Sequence, residues 1–166
     1  MSPQTIAPFA ATIELAAPTA IRLANKELGA LGETMAANFL TSQGYIVLDR
    51  NWATPRYGRG ELDLVCRRGS DLVVVEVKTR RSHRFGHPSS AVTREKLDQL
   101  RRLTGAWLAR SRWHPREVRI DVIAIVLAPF DELAPPPGLP LDGDSVPSST
   151  ITVRAEQFDH LIGVTQ

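Results

Sequence analysis

The chain reads as an α/β fold, a mixed β-sheet core flanked by helices. Three observations predict it. Two segments, around residues 28–43 and 93–110, carry apolar side chains at helical spacing. Short runs rich in Val, Ile and Leu stand between and after them and read as strands. The two kinds alternate as helix, strand, hairpin, helix, strand, the order of a single α/β sandwich. At 166 residues the chain is long enough for one well-buried core and too short for two.

Residues 1–24 are rich in Ala, Thr and Pro and are expected to form a flexible leader to a single domain over 25–166. The leader has no basic start, and Pro8, Glu14 and Pro18 interrupt its apolar residues, which argues against a secretory signal. The first helix follows from Leu28, Leu31, Met35, Phe39 and Leu40, with Gly44 placed to stop it. The segment YIVLD (45–49) reads as a strand and is followed by the turn-rich NWATPRYGRG. Two further strands, ELDLVCR and LVVVEVK, are joined by Arg68-Gly69-Ser70-Asp71, a hairpin signal. A basic loop, TRRSHRFGHPSS, leads to Thr93, which is suited to cap the second helix. That helix has Leu97, Leu100, Leu103, Trp107 and Leu108 on its inner stripe. A long strand, EVRIDVIAIVL, comes next. Residues 128–150 hold 6 of the 12 prolines and are expected as an exposed insert. ITVRAEQFDHLI closes the chain as a short strand and a turn of helix. Trp107 and Cys66 are assigned to the core.

No uninterrupted apolar run of about 18 residues exists, so no membrane span is expected. A single cysteine excludes an internal disulfide framework and a cysteine-based zinc cluster, and a cytoplasmic location follows. The net charge of +2 conceals an asymmetry. Between Arg50 and Arg119 lie 17 of the 20 Lys/Arg but 7 of the 18 Asp/Glu, a balance of +10 against −8 for the remainder. So basic a block suits a polyanion such as nucleic acid, although a solvated face of ordinary arginines has the same composition.

The chemistry centres on Glu76 and Lys78, two charges inside an otherwise apolar strand. Burying an ion costs several kcal/mol unless a partner compensates it. Strand alternation puts both on one face with Leu72 and Val74, and puts Glu61 and Asp63 together on the preceding strand. If Gly69-Ser70 is a two-residue turn, Asp63 lies opposite Glu76, and Glu61 opposite Lys78. Two carboxylates facing each other repel, unless a divalent cation sits between them. Such an ion polarises a phosphodiester, and a neighbouring lysine offsets the charge that develops. The same residues also fit a plainer arrangement, with Glu61–Lys78 a surface ion pair and Glu76 facing solvent. Other motifs carry less. His83 and His87 have the spacing of helical metal ligands, but Gly86 and Pro88 oppose a helix there.

The stretch GELDLVCRRGSDLVVVEVKTRR resembles the D…E-x-K core of the restriction-endonuclease-like nucleases, the PD-(D/E)XK superfamily. More narrowly, the chain resembles the YraN-type family of uncharacterised bacterial proteins through LGALGETMAANFLTSQGYIVLDRNW, GELDLV, VVVEVKTRRSHRFGHPSSAVTREKLDQL, AWLA and RIDVIAIV. The resemblance implies a restriction-endonuclease-like sheet and a Mg²⁺- or Mn²⁺-dependent DNA endonuclease, acting on branched or repair and recombination intermediates. It maps Asp63 and Glu76 to metal ligands and Lys78 to the catalytic lysine, with Glu33 as an extra acidic residue on the first helix. Where the superfamily has Pro-Asp this chain has Leu62-Asp63, and Glu61 is an additional ligand or a partner of Lys78. Arg80, Arg81, Arg84, Arg94, Lys96, Arg101 and Arg102 are candidates for backbone phosphate contacts, which set position rather than sequence choice. Trp52 and Tyr57 are candidates for base stacking, with packing the competing role of Trp52. A homodimer is expected by analogy with related nucleases alone. The rival expectation is a nucleic-acid-binding or scaffold protein that keeps the fold without turnover, and an RNA or small-nucleotide substrate stays open.

Overall fold

The hairpin at Gly69-Ser70 organises the sheet. Gly69 takes a left-handed conformation (φ +61°) that lets the chain reverse in two residues, and Arg68 pairs with Asp71 beside it. The computed structural model describes residues 4–6, 10–16, 25–57, 60–81, 92–127 and 148–164, with the backbone path alone for 4–6, 10–16, 57 and 148–154. Within them, the elements are β1 (Gln4–Ile6), β2 (Ala10–Ala16), α1 (Asn25–Ser42), β3 (Ile46–Ala53), β4 (Glu61–Arg68), β5 (Asp71–Arg80), α2 (Arg94–Ser111), β6 (Val118–Leu127) and β7 (Ser148–Leu161). The strand order is β1-β7-β6-β5-β4-β3, and β2 also pairs with β7. The β5–β6 pair is parallel and is joined by the α2 crossover; the other pairs are antiparallel. The expected mixed-sheet α/β architecture is therefore present.

Alternation along β5 assigns one face to each helix. Val73, Val75 and Val77 meet Leu28, Leu31, Met35, Phe39 and Leu40 of α1, joined by Ile123, Ile125 and Phe158. Leu72 and Val74 meet Leu100, Leu103 and Trp107 of α2, with Trp52, Leu62 and Val65. The first turn of α2 continues over β6, where Val92 and Leu97 pack on Val122. Thr93 caps α2 as its sequence position predicts, its Oγ1 accepting the Lys96 N–H at 3.3 Å. Gly32 is needed for the seating of α1: a Cβ there would lie 1.7 Å from Thr79 Oγ1 at the end of β5.

Two expectations change at the chain ends. The described parts of 1–24 are no free leader; β1 and β2 pair antiparallel with β7. ITVRAEQFDHLI contains no turn of helix, because β7 runs unbroken for 14 residues and supplies the partner for β1, β2 and β6. Both errors have a related cause: β1 and β2 are strands by virtue of β7, some 140 residues away, and β7 by virtue of β1, β2 and β6, so each segment carries little local signal. Of the proline-rich segment, Ser148–Thr150 belong to β7, and 128–147 lie outside the described residues.

Candidate functional site

The hairpin register holds as expected from Arg68↔Asp71 to Leu64↔Val75, and there the regular ladder ends. Continued, it would set Asp63 opposite Glu76 and next hydrogen-bond Leu62 to Val77. The Val77 N–H is instead donated to Asp63 Oδ2 at 2.7 Å. A side chain has replaced a backbone acceptor, which turns the Asp63 carboxyl onto β5 and brings it beside Glu76. β4 meanwhile continues along β3, with Leu62 opposite Trp52 and Glu61 opposite Ala53. Gly60 (φ +139°) adjoins α2 so closely that a Cβ would meet the Gln99 amide at 2.2 Å.

Glu76 lies under the first turn of α2 and is 1% exposed. Two ammonium groups compensate it. Lys78 Nζ donates to Oε1 at 2.5 Å, and Lys96 Nζ stands 2.9 Å from Oε2. The Lys96 contact is an ion pair without hydrogen-bond geometry, so Oε2 has a charge beside it but no hydrogen bond. Asp63 is 9% exposed. Burial first, and the Glu76 carboxylate next, push its carboxyl from 3.8 up to about 7, against the opposing pull of the Val77 N–H, Lys96 and Lys78. At neutral pH the centre therefore holds one buried carboxylate, a second carboxyl close to its titration point, and two lysines.

The remaining candidates are spread more widely. Glu61 is exposed and does not face Lys78, whose partner is Glu76; the ladder that would have opposed them stops at Leu64. Glu33 is half-buried on α1, which packs on the opposite face of β5, and its carbonyl accepts from Arg50 at 3.2 Å. The charges acting on Asp63 are Glu76, Lys96 and Lys78, and Glu33 is not among them. Among the described residues no group of three or more His, Cys, Asp and Glu converges as a metal cluster, so the acidic part of the centre is the Asp63–Glu76 pair. Arg80 is half-buried at the end of β5, while Arg81, Arg94, Arg101 and Arg102 are exposed, Arg101 pairing with Asp98 at 3.0 Å. Lys96, a candidate for phosphate contact, is paired with Glu76. Trp52 packs in the core beneath α2. Arg84, His83, His87 and the Tyr57 side chain lie outside the described residues. A groove of about 460 Å³ between α2 and the start of β6 is lined by Arg101, Thr104, Leu108, Val118 and Ile120 among others; Asp63, Glu76 and Lys78 do not line it.

Two features escaped the sequence reading. Asp159 of β7 is 1% exposed, and its Oδ1 has no hydrogen-bond partner. Pairing of Lys78 with Ala124, and of Ala124 with Asp159, puts it on the Lys78 face of the sheet, with a small residue between. On the other face Asp121 accepts Arg119 Nε and Nη2 at 2.8 and 3.0 Å and the Gly163 N–H at 2.8 Å, and meets His160 Nε2 at 2.9 Å. Arg119 also donates to the Tyr45 hydroxyl at 3.1 Å. This network ties the end of β7 to β6. Asp121 could have been suspected, because it interrupts the apolar RIDVIAIV as Glu76 interrupts LVVVEVK.

The model of the uncharacterised protein family UPF0102 matches residues 32–125, more than half of the chain. The chain belongs to UPF0102. The UPF0102 match covers α1 from Gly32 onward and both β-strands of the candidate centre, together with α2 and most of β6. A UPF0102 protein of Beutenbergia cavernae is 54% identical over 103 residues, 62% of this chain and 85% of the relative. One from a Nocardioides species is 50% identical over 99 residues, 60% of this chain and 77% of the relative. One from Dictyoglomus turgidum is 38% identical over 109 residues, 66% of this chain and 90% of the relative. Membership of an uncharacterised, YraN-type family agrees with the resemblance read from the sequence. The mixed sheet between two helices is compatible with a restriction-endonuclease-like core.

Proposed function

We propose that the protein is a metal-dependent endonuclease that hydrolyses phosphodiester bonds in DNA, working in the cytoplasm. One observation carries the reading: two carboxyl groups from adjacent strands are buried side by side, and burial first, then the charge of Glu76, pushes Asp63 up to about 7. Such a pair costs stability, and carboxyls perturbed in this way cluster at functional sites. The residues fit a hard divalent cation. Asp63 and Glu76 offer carboxylate oxygens, of which Glu76 Oε2 lacks a hydrogen bond, and Mg²⁺ or Mn²⁺ typically completes such a set with waters and phosphate oxygens. The bound ion would polarise the phosphate and lower the pKa of a coordinated water.

This chain's own residues do the rest. Glu76, fixed by the β5 backbone and by Lys78, sets the position of the anionic pair. Lys78 (37% exposed) can reach a phosphate at the surface and offset its developing charge. Arg80 and Arg81, which follow on the same strand and loop, and Arg101 on α2 are suited to backbone phosphates. Branched substrates and homodimerisation remain expectations from the resemblance.

Purified protein is tested on linear, nicked and branched DNA with and without Mn²⁺. Metal-dependent cleavage that Glu76→Ala abolishes is the expected result, and unchanged cleavage by Glu76→Ala sinks the assignment. A second reading, nucleic-acid binding without turnover, is favoured by one feature: both Glu76 oxygens already have an ammonium neighbour. Salt-sensitive DNA binding with no cleavage of any substrate, and no thermal shift with Mn²⁺, would select it.

A further inference from the structure

Lys96 is the group in the centre with the least conventional placement. It lies in the first turn of α2, where the helix dipole disfavours a cation. Its ammonium is nonetheless held 2.9 Å from Glu76 Oε2, and its side chain is 26% exposed. Lys78 is anchored differently, through a hydrogen bond to Oε1 from two residues along the same strand. Asp63 feels the charge of Lys96 more strongly than that of Lys78, so Lys96 is the better placed of the two for the space shared by both carboxyls. A cation bridging Asp63 and Glu76 and the Lys96 ammonium compete for one oxygen.

We infer that Lys96 is a displaceable counter-ion, which neutralises Glu76 Oε2 while no metal is bound and leaves that oxygen when a divalent cation enters between Glu76 and Asp63. The inference rests on the metal reading of the centre and adds to it a named competitor. Lys78 keeps its hold on Oε1 in both states, so the carboxylate does not lose its orientation. Lys96 is thus a positioning residue, acting on the metal through Glu76.

Calorimetric titration of the full chain with Mn²⁺ tests this on wild type, Lys96→Met, Lys96→Gln and Glu76→Ala. Removing one unit charge a few ångströms from a divalent ion should tighten Mn²⁺ binding by about tenfold in both Lys96 variants, even at aqueous screening. Glu76→Ala should abolish binding. Melting curves give an independent readout: without metal Lys96→Met melts below wild type, and saturating Mn²⁺ raises its Tm by more than it raises that of wild type. A lysine serving only as a structural partner of Glu76 predicts the opposite, binding that is unchanged or weaker on its removal. If wild type binds Mn²⁺ and neither Lys96 variant binds it more tightly, the counter-ion role is overturned and the metal reading stands. If neither wild type nor the variants bind, both fall. Binding by the variants alone supports the inference in its strongest form. Lys96→Gln keeps the experiment decisive should Lys96→Met fold poorly.

Discussion

Replacing Asp63 by asparagine should stabilise the metal-free protein, by an amount that grows with pH. Asparagine is isosteric, and its Oδ1 can still accept the Val77 N–H that the carboxylate accepts at 2.7 Å. What it removes is a second buried charge beside Glu76. Below pH 3.8 the carboxyl is protonated in both the folded and the unfolded chain and the variants should differ little. Between 3.8 and about 7 the unfolded chain ionises while the folded one keeps its proton, so wild-type stability falls as pH rises. Above about 7 both states are ionised and the loss levels off. The span from 3.8 to about 7 corresponds to a ceiling of about 4 kcal/mol. For a chain of this size that is on the order of 10 °C in Tm. Urea or thermal unfolding in EDTA, from pH 5 to pH 8, measures it without a cation taking the proton's place. A difference that does not change with pH, or an Asp63→Asn protein less stable than wild type at pH 8, refutes the electrostatic account of the centre.

Three further outcomes are expected. Burial pushes the Asp121 carboxyl up, but its bonds from His160, Arg119 and Gly163 outweigh that and hold it below 3.8. Its stabilisation is thus present above 3.8 and lost as pH falls through the lower folded value. Asp121→Asn should cost about 3 kcal/mol at pH 7 by urea titration, because Arg119 is left uncompensated, and less below pH 4. Gly32→Ala should destabilise by at least about 1–3 kcal/mol through its clash with Thr79, and Thr79→Ala in the same chain should recover part of the loss. Cys66 is fully buried, and burial, then the Asp121 charge, pushes its thiol up to about 12. A colorimetric thiol reagent at pH 8 should therefore label it only after unfolding in guanidinium, and rapid labelling of the native protein would contradict its placement.

What could be read in the chain depended on the range of the interactions involved. Helix α1 and helix α2 were legible because a helix announces itself within one or two turns, through Leu28–Leu31–Met35 and Leu97–Leu100–Leu103. The Thr93 cap and the Gly69-Ser70 turn are likewise decided by residues adjacent in sequence. The turn even delivered the register as far as Leu64↔Val75. It failed one step later, because an aspartate side chain can supply the acceptor that a backbone carbonyl normally supplies. Nothing in a pattern of alternating residues tells which of those two acceptors the Val77 N–H will find. At longer range, β1 and β2 became strands only through β7. Lys96 reads in the sequence as a candidate phosphate contact, since helical periodicity does not tell that Glu76 meets it.

A carboxylate in LVVVEVK allowed two explanations, a wet strand face or a centre held together for chemistry. The face is not wet, as Glu76 is 1% exposed, and the surface pair with Glu61 is absent. Yet a buried ion pair is weak evidence for stability, because well-packed apolar residues would serve a strand at least as well. Here two buried carboxyls stand with two partly exposed lysines. With Asp63 protonated, Glu76, Lys78 and Lys96 leave the cluster at a formal +1; with Asp63 ionised it is neutral. Net charge draws a divalent cation to neither state, which leaves its binding to the carboxylate oxygens, and the +1 state favours a phosphate. Under the metal reading the ion and the polyanion therefore favour each other's binding: the ion needs Lys96 moved aside, and a phosphate gives that ammonium a new partner. Under that reading the buried Glu76 and its two lysines have divided roles, Lys78 holding Oε1 and Lys96 yielding Oε2.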